Sequence, residues 1–166
     1  VEILMVWKGG LASHGAAIGI LTAIYLFVKK KKEYTFLWVL DRIVITVALG
    51  GFFIRMGNLF NSEIIGKPTD VPWSFIFTYV DNVPRHPSQL YEAIAYLLIF
   101  IFLISFYLRT NAKFKQGTML GLLSLLIFTF RFFIEFTKEN QTYFEEGMFL
   151  NMGQILSIPF IVFGIY

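Results

Sequence analysis

Arg55, Gly57, Asn58, Asn61, Glu63 and Gly66 crowd one short segment, FIRMGNLFNSEIIGKP, between two long apolar runs. A second polar knot, FRFFIEF, carries Arg131 and Glu135, and His14 stands at the head of another apolar run. Arginine is the side chain suited to gripping an oxyanion, because its planar fork donates two parallel hydrogen bonds to carboxylate or phosphate. Several other chemistries lack their residues, although Ser13, Ser62 and Ser88, without an obvious acid–base partner, leave a serine nucleophile open. There is no cysteine, which removes disulfides, thiolate metal sites and a cysteine nucleophile of the chain's own. The two histidines, His14 and His86, are too few for a histidine metal cluster. The residue five on from His14 is Gly19 and the residue five on from His86 is Tyr91, so the His-x4-Asp acyltransferase pattern is missing. A Gly-x-Ser-x-Gly elbow is also missing. No carboxylate cluster points to Mg²⁺-dependent phosphotransfer.

These residues must be positioned by helices in a bilayer. The 166 residues are 57% hydrophobic and 15% charged, with a mean hydropathy of +0.67. A soluble fold of that length could not hide so much apolar surface. The net charge of +3 sits between apolar runs, not along a face that could bind nucleic acid. A span needs about 20 mostly apolar residues. The candidates are Leu11–Val28, Phe36–Ile54, Tyr91–Leu108, Gly117–Phe136 and a short Asn151–Tyr166. The expected fold is therefore an all-α polytopic membrane bundle of about five transmembrane helices, forming a single membrane domain over residues 1–166. The chain opens at Val1 with neither Met nor leader, and we read it as a fragment of a larger protein with upstream helices missing.

Short basic loops stay cytoplasmic. Lys29, Lys30, Lys31 and Lys32 follow the first span, and Arg109, Lys113 and Lys115 follow the third. Both loops are placed inside, so residues 55–90 and 137–150 lie outside. The first of these outer loops contains VPWSFIFTYV, whose aromatics favour the membrane interface and predict a short interfacial strand or helix.

This topology gathers His14, Arg55, Asn58, Tyr91, Glu92, Arg131, Glu135, Asn151 and Gln154 in the outer half of the bilayer. Each has a structural reading. Arg131 and Glu135 are spaced i, i+4 and could pair. Arg55 could snorkel or pair with Glu63. Asn58 and Asn61 could cap helices or turns, and His14 could bond helix to helix. Asp41 and Arg42, on the cytoplasmic side, are expected to tie helices. Gly50, Gly51 and Gly57 could serve close packing. Each central Arg, however, costs about 2.5–3.5 kcal/mol on insertion scales. Two at one depth, without an equal number of buried acids, point to an anionic ligand, and the natural anion there is a phospholipid phosphate.

Five blocks in order, GGLASHGAAIG, IRMGNLFNSEIIGKP, PRHPSQLYEA, FRFFIEF and NMGQILSIP, resemble bacterial phosphatidylglycerol–prolipoprotein diacylglyceryl transferase over nearly the whole chain. The signature Arg-x-Gly-Asn followed by Asn-x-Glu-x-x-Gly is matched by Arg55, Gly57, Asn58, Asn61, Glu63 and Gly66. Ile54, Leu59 and Ala16 depart from the usual family residues by small or apolar changes. Family members carry further membrane segments before the His motif.

The resemblance implies transfer of a diacylglyceryl group from phosphatidylglycerol to the lipobox Cys thiol of a prolipoprotein, at the outer face of the bacterial cytoplasmic (inner) membrane. The expected partners are phosphatidylglycerol, the prolipoprotein signal peptide and membrane lipids, with no cofactor, metal or nucleic acid. His14 is the candidate base for the thiol, with Glu135 the second candidate. Arg55 and Arg131 would clamp the phosphate. Asn58, Asn61, Glu63 and Gln154 would orient the glycerol, Gly57 and Gly66 would admit the head group, and Tyr91 and His86 would complete the shell. The competing readings are a non-catalytic phospholipid-binding or lipid-transport subunit and a purely structural membrane subunit.

Overall fold

The computed structural model describes residues 13–139 and 150–165, with side chains from residue 15 onward. The helices are α1 (Ser13–Lys30), α2 (Phe36–Phe60), α3 (Ser88–Arg109), α4 (Thr118–Ile134) and α5 (Met152–Ile165). A short 3-10 turn, Glu135–Thr137, extends α4. Three helical stretches, Phe36–Phe60, Ser88–Arg109 and Thr118–Thr137, are long and apolar enough to cross a membrane, and α5 is a shorter apolar helix. Most of each long helix is left uncovered by protein, as a lipid-facing surface requires. The chain is a helical membrane protein. The helices fall where the apolar runs predict. The largest shift is at the end of α2, which continues to Phe60, so Arg55 and Asn58 are helical residues.

Local chemistry starts and stops these helices. Thr35 caps α2 by accepting from Trp38 N at 3.1 Å. The start of α4 is capped from a distance: Asp41, fully buried on α2, accepts from Gly117 N at 2.7 Å and Leu120 N at 3.1 Å. Asp41 thus locks α2 parallel to α4. Its neighbour Arg42 lies 3.6 Å over the Trp38 ring and donates to the Trp38 carbonyl. Both residues tie structure, as the sequence led us to expect. At the start of α5, Asn151 and Gln154 form a reciprocal capping box, with Gln154 N donating to Asn151 Oδ1 at 2.9 Å and Asn151 N to Gln154 Oε1 at 3.0 Å.

The core sits where α2, α3 and α4 meet and includes Val44, Ile45, Ala48, Ala95, Tyr96, Ile99, Leu103, Met119 and Leu123. Gly51 admits the Tyr96 ring, since a Cβ there would stand 2.7 Å from Tyr96 Cδ2. Gly50 and Gly57 have open space beside them, so close packing explains Gly51 but not the other two. On the far side, Gly164 crosses Gly121 so tightly that a Cβ would meet the Gly121 carbonyl oxygen at 2.7 Å.

The connection from α2 to α3 folds back on the end of α4. It contains the antiparallel pair β1 (Phe75–Ile76) and β2 (Pro84–Arg85), with Phe75 opposite Arg85. A strand is therefore what the aromatic segment forms. Lys67 N donates to the Thr137 carbonyl, and the Ser88 hydroxyl meets Thr137 Oγ1 at 2.8 Å. These contacts, with Gln154 of α5 donating to the Phe132 carbonyl of α4, bring the segment after α2, the start of α3, the end of α4 and the start of α5 to one end of the bundle.

Candidate active site

Arg55 is near the end of α2, and its side chain is 14% exposed. Its Nε lies 2.9 Å from Oε2 of Glu92, a fully buried carboxylate early in α3. The contact is ionic but poorly aligned, so Glu92 Oε2 receives no directed hydrogen bond. The other oxygen, Glu92 Oε1, accepts from Lys138 Nζ at 2.9 Å, and Lys138 also donates to Glu135 Oε2 at 3.0 Å. An ion chain, Arg55–Glu92–Lys138–Glu135, thus runs through the end of the bundle and joins α2, α3 and the turn after α4. Buried charges persist only when paired in this way.

Two expectations are corrected here. Arg131 and Glu135 do not form the i, i+4 pair, because Glu135 turns to Lys138. The arginines do have buried acids beside them, Glu92 and Glu135. The excess of positive charge nonetheless survives, because Lys138 adds a third cation to Arg55 and Arg131. Among the described residues, no side chain pairs with the half-buried Arg131 guanidinium. The Tyr96 hydroxyl is within electrostatic reach of Glu92, Arg55 and Arg131.

A polar relay leaves Arg55 in the other direction. Arg55 donates to Asn58 Oδ1 at 3.1 Å, and Asn58 Nδ2 donates to Glu63 Oε2 at 2.7 Å. Arg55 therefore reaches Glu63 through Asn58, not by direct pairing. The turn that returns Glu63 towards Asn58 places Ser62 at φ 56° and Ile64 at φ 55°. A β-branched residue in the left-handed region is strained, and such strain gathers at functional turns. Gln89 fastens this turn by donating to the Glu63 carbonyl at 2.6 Å. Asn61 ends α2, and its side chain is exposed.

Other expected site residues take different places. Gln154, 2% exposed, is engaged in the α5 capping box and points Nε2 at the Phe132 carbonyl. It is thus built into the helix start and is not open to a ligand. Gly66 lies against His86 and Ser88: an added Cβ would strike the His86 carbonyl and lie 2.6 Å from Ser88 Oγ. Its lack of a side chain admits protein backbone, whereas the space beside Gly57 is open. The Tyr91 hydroxyl accepts from Trp73 Nε1 at 2.9 Å and lies 3.2 Å from His86 Nδ1. His14 opens α1, but its side chain lies outside the described residues. Among the described residues, no three His, Asp or Glu groups converge as metal ligands.

The sequence reading passed over Lys138 and Arg85. Arg85 is buried, holds Asp81 at 2.6 Å and Glu139 at 2.9 Å, and donates to the Gly66 carbonyl. It thereby clasps the α2–α3 connection to the segment after α4. The Arg85 hydrogen bond, with smaller help from Val83 N, holds the Asp81 carboxyl below its ordinary range. The same bond, aided by Glu139, raises Arg85 against the effect of its burial. The i, i+3 spacing of Glu135 and Lys138 was the available signal for Lys138. For Arg85 the available signals were the i, i+4 spacing from Asp81 and its place in the block PRHPSQLYEA.

With this geometry in place, comparison with known proteins is decisive. The sequence profile of prolipoprotein diacylglyceryl transferase matches residues 1–166. The chain belongs to the prolipoprotein diacylglyceryl transferase family. Its relatives include proteins named phosphatidylglycerol–prolipoprotein diacylglyceryl transferase. That of Tolumonas auensis is 48% identical over 165 residues, covering 99% of this chain and 64% of the relative. That of Chloroherpeton thalassium is 50% identical over 164 residues, covering 99% and 61%. That of Bacteroides fragilis is 51% identical over 157 residues, covering 95% and 56%. The chain thus spans less than two thirds of these diacylglyceryl transferases' length.

Proposed function

We propose that the protein to which this chain belongs transfers the diacylglyceryl group of phosphatidylglycerol to the lipobox cysteine thiol of a prolipoprotein signal peptide. The thiolate attacks the glyceryl carbon that bears the phosphate ester. A C–S bond forms, the C–O bond breaks, and glycerol phosphate leaves with the bonding electrons. The thiol proton passes to a base.

The observation that supports this most directly is Arg131: a half-buried guanidinium in an apolar helix, unpaired among the described residues and, like the Arg55–Glu92 pair, within electrostatic reach of Tyr96. An open guanidinium at that position is a phosphate ligand in waiting. Arg55 is the second member of the clamp. Its tie to Glu92 fixes its orientation, so stabilisation of the leaving phosphate needs little reorganisation. Asn58, Asn61 and Glu63 are the hydrogen-bonding groups for the glycerol, Gly57 leaves room for the head group, and Gly66 and Gln154 support the wall from behind. Tyr91 and His86 form the outer shell.

His14 is assigned as base because a thiol of ordinary pKa ~8.5 needs a partner that titrates near neutrality. Glu135 is the second candidate, but its ion pair with Lys138 would have to yield first. The site belongs at the outer leaflet of the bacterial inner membrane. The basic turns at the opposite end of the bundle favour that orientation, and a signal peptide there has already crossed.

The test is Arg55→Ala and Arg131→Lys in the full-length protein. Arg55→Ala should abolish transfer with membrane insertion intact, and Arg131→Lys should lower it at least ~10-fold because a point charge cannot replace the fork. Full activity in both variants contradicts the clamp.

A further inference from the structure

Among the described residues no side chain pairs with Arg131, although Glu135 lies at i+4 from it, the spacing at which Arg and Glu pair on a helix. Two features of the fold hold Glu135 elsewhere. The first is Lys138, 3.0 Å from Glu135 Oε2 and itself anchored to the buried Glu92. The second is Gly153, in the first turn of α5. A Cβ built on Gly153 would stand 2.5 Å from both Cδ and Oε1 of Glu135 and 2.9 Å from Oε2. The carboxylate therefore rests directly on the Gly153 backbone, in a seat that exists because the residue has no side chain. The capping box of Asn151 and Gln154 fixes that turn, and Gln154 ties it to the Phe132 carbonyl of α4.

We propose that Gly153 is a positioning residue: by seating the Glu135 carboxylate against α5 and beside Lys138, it keeps Arg131 open to the phosphate. The clash that a methyl group would create falls on the far end of a flexible side chain and not on backbone. Substitution therefore moves Glu135 and leaves α5 in place. Once displaced from Lys138, the carboxylate finds Arg131 as the cation next along its own helix, and the phosphate must then compete with an internal acid.

This inference rests on the reading of Arg131 as a phosphate ligand, and the experiment separates the two. In the full-length protein, steady-state transfer is measured in mixed micelles with phosphatidylglycerol and a lipobox peptide varied in turn. Gly153→Ala should raise the KM for phosphatidylglycerol roughly tenfold, about the 1.4 kcal/mol of one competing ion pair, and leave the peptide KM unchanged. The effect should largely vanish in a Glu135→Asp background, where the shorter side chain clears the methyl group. A Gly153→Ala effect that is absent, that falls on kcat alone, or that persists undiminished with Glu135→Asp overturns the seat. If Arg131→Ala leaves the KM for phosphatidylglycerol unchanged, the phosphate reading fails and the seat with it. If Arg131→Ala raises that KM and Gly153→Ala does not, the seat alone fails. Should Gly153→Ala not accumulate in membranes, Lys138→Gln is compared with Lys138→Arg. Gln releases Glu135 and should raise the KM for phosphatidylglycerol well above the Arg variant, and equal values contradict the proposal.

Discussion

Arg55 Nε and Glu92 Oε2 stand 2.9 Å apart and join the end of α2 to the start of α3 inside the bundle. Glu92 has no exposed side-chain surface, and its second oxygen is held by Lys138. Removing one partner from a buried ionic group costs about 3–5 kcal/mol, because the charge left behind is uncompensated. Glu92→Gln keeps the shape and removes the charge. The full-length variant in detergent should melt at a clearly lower temperature than the parent. An unchanged melting curve would mean that Glu92 does not hold the two helices.

Asp41 tests the opposite end of the bundle. Its carboxylate accepts from both Gly117 N and Leu120 N, and so caps α4 from α2. Loss of a helix N-cap costs about 0.5–2 kcal/mol. Asp41→Ala should therefore lower thermal stability by that order while leaving transfer at low temperature intact. A loss of transfer at full folding would instead assign Asp41 to the chemistry.

The Asp81–Arg85 clasp makes the α2–α3 connection sensitive to acid. Its folded carboxyl titrates below the ordinary value because Arg85 hydrogen-bonds the charged form. The stabilising contribution is thus complete above the unfolded Asp value of ~3.9 and declines as pH falls through the lower folded value. Protection against hydrogen exchange across residues 66–87, taken relative to the intrinsic rate at each pH, should hold at pH 5 and fall in stronger acid, and Asp81→Asn should remove that fall. Equal exchange in parent and variant at every pH would show that the clasp does not restrain the connection.

His14 is the base we propose for the substrate thiol. His14→Gln in the full-length protein should remove the near-neutral limb of the pH–rate profile along with most of the transfer. A profile unchanged from the parent would dismiss it as base and turn attention to Glu135.

Much of the helical frame was legible because spans are written in long apolar runs, and the lipid-facing surface demands them. The alignment of Arg55, Asn58 and Glu63 was legible too, since i, i+3 spacing and a close turn bring neighbours together. The ion chain was harder to read. Lys138 looked like one basic residue of an outer loop, and nothing near it in sequence reveals that Glu92, from another helix, meets its ammonium. Gly66 and Gly153 were opaque for a related reason. A glycine records that something approaches, not whether it is a ligand, a carbonyl such as that of His86, or a carboxylate such as Glu135. Gln154 misled because a helix-opening amide serves a capping box as readily as a substrate.

The central claim is tested most directly by mass. Membranes containing the full-length protein are incubated with phosphatidylglycerol and a lipobox peptide, and the peptide is then weighed by mass spectrometry. The account predicts a diacylglyceryl adduct on the peptide cysteine, dependent on phosphatidylglycerol and lost with Arg55→Ala. A peptide that keeps its original mass while the protein is folded and binds phosphatidylglycerol would contradict it and leave a lipid-binding subunit in its place.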